Sequence, residues 1–125
     1  MTNMPNEVIE AWMEREGPIV LTTVNDDGVT NAIYATCVQL YDAETLIVAD
    51  NYFQKTKENI LSNIYASILF MSKEGKSYQV KGEIHYFTEG KYFEDMKRWN
   101  PTKHPGHAVA VLKVKQVFSG SKQLA

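Results

Sequence analysis

The sequence is poor in cysteine, in basic runs and in long apolar stretches. Its single cysteine, Cys37, excludes an intrachain disulfide and is typical of a protein kept in a reducing cytoplasm. No apolar segment approaches the ~18 residues that a membrane-spanning helix needs. The net charge of −2, with lysines scattered along the chain, is not the basic footprint of a nucleic-acid-binding protein. We therefore expect a cytoplasmic protein that binds neither membranes nor nucleic acid.

The residues that are present have the composition of one ordinary folded domain. Hydrophobic residues make up 44% of the 125 positions and charged residues 22%, which is typical of a globular protein. A chain of this length has the usual size of one domain, and no repeat or linker-like segment divides it. The polar, acidic opening MTNMPNEVIEAWMEREG is unlike a signal or transit peptide. We predict a single domain over residues 1–125.

Apolar and β-branched segments predict six strands, separated by turn signals such as NDDG and KEGK. The strands are PIVLTTV, TNAIYATCVQLY, TLIVAD, YASILFMS, SYQVKGEIHYF and HAVAVLKVKQVF. The first three follow too closely for helical crossovers, so we expect them to form an antiparallel meander. Gly82 inside the fifth strand predicts a bulge or a close approach of two backbones.

Three segments have helical spacing: the amino-terminal region after Pro5, KTKENILSNI, and EGKYFEDMKRW. Most strands are consecutive, and one short helix is inserted after the third. This order predicts a mainly β (α+β) fold, a six-stranded antiparallel β-barrel with about three peripheral helices.

The segment NYFQKTKENI places two lysines, Lys55 and Lys57, at the start of a predicted helix. The helix dipole disfavours cations there, whereas a bound anion would favour them. Free backbone N–H groups, Lys55 and the Thr56 hydroxyl are the parts of a phosphate site. The alternative is that both lysines point into water and Gln54 caps the helix.

The loop RWNPTKHPGH supports two further interpretations. His104 and His107 have a spacing that metal ligands use, but no third ligand is near, so we predict no metal site. Arg98, Trp99 and Lys103 form a basic, aromatic edge that either faces a neighbouring subunit or is a solvated helix end, which the helix dipole favours.

Beside the predicted phosphate site, the segment Asn51–Phe53 is polar and then aromatic. Its rings would stack on a planar ligand, lie at a subunit interface or cover the end of the barrel. The sequence contains no G-x-S-x-G, G-x-G-x-x-G or Walker A motif. Any redox chemistry therefore has to come from a bound cofactor.

Taken in order, these segments resemble the FMN-binding split β-barrel family that includes pyridoxamine 5'-phosphate oxidase. The resemblance covers nearly the whole chain, from GPIVLTTVNDDGVTNA through LIVADNYFQKTKENIL and YQVKGEIHYFTEGKYFEDM to the last strand. It rests on the order and spacing of these short motifs. It implies that the predicted barrel is a split barrel, and that the protein is a homodimer with FMN in the interface between subunits.

The resemblance also assigns cofactor contacts to the matching positions of this chain. The positions that match the phosphate-binding residues are Gln54, Lys55 and Thr56. The strand-end positions near the ribityl chain and ring are Ala49, Asp50 and Asn51. The strand whose backbone runs along the isoalloxazine edge contributes Ile33, Tyr34, Ala35 and Thr36, and Gln79 matches a position that reaches the cofactor.

Two departures from the family pattern affect this site. Gln54 or Phe53 stands where the family often has arginine or serine, which would weaken one phosphate contact. Asp50 places an anion near an anionic cofactor, unless it points away or caps the following turn.

We therefore expect an FMN-dependent oxidoreductase acting on a small molecule. The sequence lacks the C-terminal basic segment with which pyridoxamine phosphate oxidases hold their substrate. We therefore do not expect this protein to oxidise pyridoxamine phosphate. The alternatives are a non-catalytic FMN-binding electron carrier or sensor, the same fold binding haem or a deazaflavin, and a structural dimer without ligand.

Overall fold

The structure, a computed structural model, describes residues 2–125, which form three helices and eight strands. The helices are α1 (Asn6–Met13), α2 (Lys55–Ser62) and α3 (Lys91–Trp99). The strands are β1 (Ile19–Val24), β2 (Thr30–Ala35), β3 (Val38–Asp42), β4 (Thr45–Asp50), β5 (Tyr65–Met71), β6 (Ser77–Phe87), β7 (Ala108–Ser119) and β8 (Lys122–Gln123). All paired strands are antiparallel.

The strands form one sheet in the order β2-β1-β5-β6-β7-β4-β3, with β8 paired to β7. The edge strands β2 and β3 are consecutive in the chain, and only Thr36 and Cys37 separate them. A link of two residues spans at most about 11 Å, so the two edges of the sheet must lie close together. The sheet therefore curls into a half-barrel that stays split between β2 and β3. The split β-barrel expected from the sequence is confirmed.

One part of the predicted strand arrangement is wrong. The segment TNAIYATCVQLY is not one strand, because it divides into β2 and β3 at Thr36–Cys37. Each part pairs only in its own hairpin, β2 with β1 and β3 with β4, so the expected three-stranded meander does not form. Local propensity favours an extended conformation throughout this segment, whereas the curl of the sheet places its two halves on opposite edges.

The core lies on both sides of β4 and β7. Alternate residues of these strands, such as Leu46 and Leu112, point into the barrel, where α1 adds Val8 and Trp12. The other face of the same strands packs against α3, and this second cluster contains Ile47, Ala49, Met96, Val109 and Val111. Burial on two faces explains why every residue of β4 is buried, including Asp50 at its end.

The sequence predicts a bulge or a close approach at Gly82, and the structure has both. The extra residue of the bulge is Lys115 of β7, because Lys81 pairs with Gln116 and Gly82 with Val114. The register between β6 and β7 shifts between Lys81 and Gly82. A Cβ atom at Gly82 would lie 2.0 Å from the backbone oxygen of Lys113 in β7. Only a residue without a side chain allows the two backbones to approach this closely.

Substitution Gly82→Ala should therefore destabilise the protein by about 3 kcal/mol, because the backbone of β7 cannot move aside without breaking the sheet. The matched control is Gly120→Ala in the β7–β8 turn, where a Cβ meets nothing within 4 Å. Its positive φ of 57° costs only about 1 kcal/mol for alanine. Urea unfolding of both variants measures the difference. Equal losses would contradict the close approach at Gly82.

Candidate cofactor site

A groove of about 270 Å³ opens where β2 and β3 part. Six of the predicted cofactor residues line it: Ile33, Tyr34, Ala35, Thr36, Ala49 and Asn51. Cys37, Tyr52, Phe53 and His104 complete its walls. Because β2 pairs on one side only, the backbone N–H and C=O groups of its other edge are available to a ligand in the groove.

The start of α2 lies at one end of the segment that borders this groove. Gln54 occupies the N-cap position, and its backbone oxygen accepts a hydrogen bond of 3.2 Å from the Glu58 N–H, but its side chain makes no capping hydrogen bond. The Lys55 side chain is exposed. Thr56 is buried, and its Oγ1 accepts a hydrogen bond of 3.1 Å from Asn31 Nδ2. The Thr56 hydroxyl proton remains available for donation.

Two side-chain hydrogen bonds fix α2 to the hairpin that forms the groove. Asn31 of β2 bonds to Thr56, and Asn59 Nδ2 donates to Thr23 Oγ1 of β1 over 3.1 Å. Thr23, Thr56 and Asn59 are all buried. The helix start and the groove are therefore parts of one rigid unit.

Lys57 is exposed, like Lys55, and also lies near an aromatic ring. Its Nζ lies 5.5 Å from the centre of the Tyr86 ring, an arrangement that favours a cation–π contact. Lys55 and Lys57 thus differ in surroundings although both belong to the first turn of α2.

The carboxylate of Asp50 caps the turn after β4. Its Oδ1 accepts a hydrogen bond of 2.9 Å from the Phe53 N–H, and its Oδ2 accepts one of 2.5 Å from the Tyr86 hydroxyl. Asp50 is 2% exposed and is absent from the lining of the groove. The Asp50 side chain therefore points away from the groove and caps the following turn, which removes the charge conflict at this position.

The Asn51 side chain connects the end of β4 to the loop after α3. It exchanges two hydrogen bonds with the Asn100 amide, of 2.9 and 3.0 Å, and accepts a third of 2.9 Å from the Gly106 N–H. Asn51 and Asn100 are each 7% exposed. Asn51 lines the groove, but the groups of its amide are already engaged by the loop.

Gln79 does not lie with the other predicted residues. It lines a different cavity, of about 430 Å³, on the outer face of β1, β5 and β6. Along the sheet, Tyr34 pairs with Val20, Val20 with Leu69, and Leu69 with Gln79. Three strand spacings of about 4.8 Å place Gln79 roughly 14 Å from Tyr34. Within one chain, Gln79 does not reach the groove.

The structure adds residues that the sequence did not single out for this site. Asn31 is a polar residue on the same face of β2 as Ile33 and Ala35, and this break in the apolar pattern was a usable signal. Tyr86 contacts Asp50 across 36 positions of sequence, and no local pattern indicates that contact. His104 bonds to Tyr52 through its Nδ1 atom at 3.2 Å, whereas His107 is exposed.

No helix within residues 2–125 is long and apolar enough to cross a membrane. In the same range, no three His, Cys, Asp or Glu side chains are grouped as metal ligands. Arg98 and Trp99 lie at the end of α3, and both side chains donate hydrogen bonds to the Asp95 carboxylate one turn earlier in the same helix.

The curled antiparallel sheet, its split beside a groove and the peripheral helices define the class of split β-barrel proteins. Solved structures of other proteins have this fold, and three of them align with this chain as follows. Group A Streptococcus HupZ aligns with a TM-score of 0.83 and 24% identity over 96% of both chains. An FMN-binding protein from Syntrophomonas wolfei aligns with a TM-score of 0.75 and 19% identity, over 93% of this chain and 96% of its own. An F420 reductase aligns with a TM-score of 0.64 and 18% identity, over 87% of this chain and 94% of its own.

Sequence comparison identifies the family. The model of the pyridoxamine 5'-phosphate oxidase family matches residues 5–119. An uncharacterized protein of Methanocaldococcus jannaschii is 31% identical over 107 residues, which are 81% of this chain and 71% of that protein. The chain belongs to the pyridoxamine 5'-phosphate oxidase family.

The contact between Tyr86 and Asp50 predicts a pH-dependent stability. Burial raises the pKa of the Tyr86 hydroxyl above its ordinary value of 10.0, and the hydrogen bond to Asp50 and its charge add to this. Because the folded state holds this proton more tightly, the stabilisation is complete below about pH 10 and is lost as the pH rises further. Tyr86→Phe should lower the free energy of unfolding by about 1.5–3 kcal/mol at neutral pH.

Denaturant unfolding at pH 7 and above pH 10 measures both effects. The difference between wild type and Tyr86→Phe should shrink at the higher pH. The control Tyr41→Phe removes a hydroxyl from another partly buried ring, which packs edge-on against Tyr92, and should cost less. A difference that stays constant with pH would show that the Tyr86 proton is not held by Asp50.

Proposed function

We propose that this protein is an FMN-binding flavoprotein and an oxidoreductase that acts on a small molecule. The observation that carries the proposal is the start of α2. It has no side-chain cap, it carries Lys55, and it adjoins a groove with an open strand edge. Membership of the pyridoxamine 5'-phosphate oxidase family supports the same conclusion.

The residues at the helix start fit a phosphate group. A helix amino terminus presents free N–H donors and a partial positive charge. Within the described part of the chain, the two ion pairs are Arg98–Asp95 and Lys115–Glu83, so Lys55 has no acidic partner. The nearby carboxylate of Asp50 is occupied by Phe53 and Tyr86. Lys55, the Thr56 hydroxyl and the free N–H groups would hold the phosphate.

The groove fits one face and one edge of a planar heteroaromatic ring. The unpaired edge of β2 along Ile33–Thr36 offers alternating N–H donors and C=O acceptors, which match the polar edge of an isoalloxazine. Tyr34, 78% exposed, and Tyr52, 72% exposed, would shape the side on which a substrate approaches. A bound FMN supplies hydride and electron transfer at its ring, and the protein supplies orientation and exclusion of water.

We further propose that two copies of the chain complete the site. The groove, at about 270 Å³, falls short of the roughly 300–1,000 Å³ of enclosed ligand sites and lies open on one side. The outer face that carries Gln79 also exposes Tyr65, Leu69 and Met71 by 43–65%. Exposed apolar residues grouped on one sheet face are typical of an interaction surface. A homodimer through this face would bring Gln79 of the partner to the groove.

The first test is the absorption spectrum of the purified protein and its titration with FMN. Lys55→Ala should weaken FMN binding by about 10- to 100-fold, the loss expected for one charge-assisted hydrogen bond to a phosphate. The matched control is Lys57→Ala, which removes the same charge from the same helical turn. The Lys57 side chain lies near the Tyr86 ring and not at the proposed phosphate position. Lys57→Ala should have a much smaller effect.

Several results would overturn the proposal in different ways. A protein that is colourless and takes up no FMN is not a flavoprotein. A haem or deazaflavin spectrum would keep the fold and replace the cofactor. An FMN-loaded protein that reduced nicotinamide and small acceptors do not turn over would be a carrier or sensor. Equal effects of the Lys55 and Lys57 variants would exclude a specific phosphate contact at Lys55.

The shared site is tested by mixing two defective chains. Lys55→Ala damages the groove, and Gln79→Glu places a negative charge on the proposed partner side. In a mixed dimer purified with two different tags, one site would carry both defects and the other would be intact. We expect mixed dimers to bind one FMN tightly, whereas each parent dimer binds FMN weakly.

If the whole site lay within one chain, every site of the mixed dimer would carry one defect and binding would not recover. A monomer in sedimentation at micromolar concentration would contradict the dimer itself.

A further inference from the structure

His104 lies between two cavities. It lines the groove, and it also lines a second cavity of about 330 Å³ on the far side of the 100–107 loop. Of the residues that the structure describes, His104 alone belongs to both linings. The second cavity is bordered by Lys97, Asn100 and Pro105, among others. An imidazole in this position connects the groove with an outer, polar cavity.

Inside the groove, His104 is paired with Tyr52. The Tyr52 hydroxyl lies 3.2 Å from His104 Nδ1, and the two rings meet edge to face with centres 5.6 Å apart. Tyr52 is largely exposed, whereas His104 is partly buried. The phenol is therefore open to a ligand, and the imidazole lies behind it.

Both members of this pair are attached to the same anchor. Tyr52 directly follows Asn51, and Asn51 bonds to Asn100 and Gly106 at the two ends of the loop that carries His104. Lys97 Nζ donates to the backbone oxygen of Gly106 over 3.3 Å, which adds a further support to the loop. Buried hydrogen bonds thus hold the two segments that carry Tyr52 and His104 next to each other.

The surroundings of the pair contain few other charges. The outer cavity contributes Lys97, and the groove contributes the Cys37 thiol. Within residues 2–125, no carboxylate lines either cavity, and the Asp50 carboxylate is turned towards Phe53 and Tyr86. In both linings, His104 contributes the single imidazole, a side chain that can both accept and donate a proton.

We propose that Tyr52 and His104 form a proton-transfer pair that serves a carbonyl substrate in the groove. This inference rests on the proposed function. A quinone that is reduced to a hydroquinone takes up one hydride, from the reduced cofactor, and one proton. The Tyr52 hydroxyl donates this proton to the substrate oxygen, His104 returns a proton to Tyr52, and solvent in the outer cavity reprotonates His104. Reduced nicotinamide would supply the two electrons through the bound FMN.

The test is anaerobic oxidation of the reduced, FMN-loaded protein by duroquinone, whose fully substituted ring does not add the Cys37 thiol. His104→Asn keeps a hydrogen-bonding group near the Nδ1 position but cannot relay a proton. It should slow quinone reduction by about 100-fold, the lower range for general acid catalysis, while FMN stays bound. His107→Asn, in the same loop but exposed, is the matched control and should react like wild type.

Two further measurements separate proton transfer from a structural role. Free imidazole should restore a large part of the rate in His104→Ala and have no effect on wild type. In cofactor-free protein labelled with ¹⁵N, Tyr52→Phe should shift the Nδ1 resonance of His104, because its hydrogen bond is lost. This readout does not depend on FMN or on activity.

Unchanged quinone reduction in His104→Asn with FMN still bound would overturn the pair and leave the flavoprotein function intact. Loss of FMN from His104→Asn, or absence of imidazole rescue, would make His104 a binding or structural residue and also overturn the pair. A chain that takes up no FMN would overturn both proposals.

Discussion

The two-residue link between β2 and β3 is the constraint on which the rest of the structure depends. Because Thr36 and Cys37 alone connect opposite edges of the sheet, the sheet has to curl until those edges lie within about 11 Å. The edges approach without pairing, which leaves a gap. That gap is the groove, and the unpaired backbone of β2 is its wall. The same short connection thus closes the core and creates the candidate site.

Buried polar groups then determine what surrounds the gap. A polar group removed from water has to be hydrogen-bonded, and the end of β4 buries both Asp50 and Asn51. Asp50 meets this requirement through Phe53 and Tyr86, which sets the turn that leads into α2. Asn51 meets it through the loop at 100–106, which places that loop on the other side of the groove. Two residues to which the family resemblance assigned cofactor contacts therefore hold the elements around the groove in place through their side chains.

The electrostatics of the site are local. The chain as a whole carries a net charge of −2, yet the start of α2 combines Lys55, the helix dipole and uncapped N–H groups. The hydrogen bonds of Thr56 and Asn59 hold this helix against the β1–β2 hairpin, so the positive end keeps a fixed position beside the groove. A helix start held in a fixed position binds an anion more tightly than mobile surface lysines do, because it needs no reorganisation on binding.

The sequence by itself determined most of the secondary-structure elements of this protein. Apolar alternation located the strands, NDDG located the first hairpin turn, and the glycine inside β6 indicated the close approach to β7, because these features depend on neighbours in the chain. Only the tertiary structure decided that TNAIYATCVQLY divides in two, that Gln79 lies about 14 Å from the groove residues of its own chain, and that Asp50 turns inward. It also brought His104 beside Tyr52, 52 positions away. Those facts depend on the curl of the sheet and on hydrogen bonds between polar groups far apart in the sequence. Neither the curl nor these long-range bonds produce a pattern among adjacent residues.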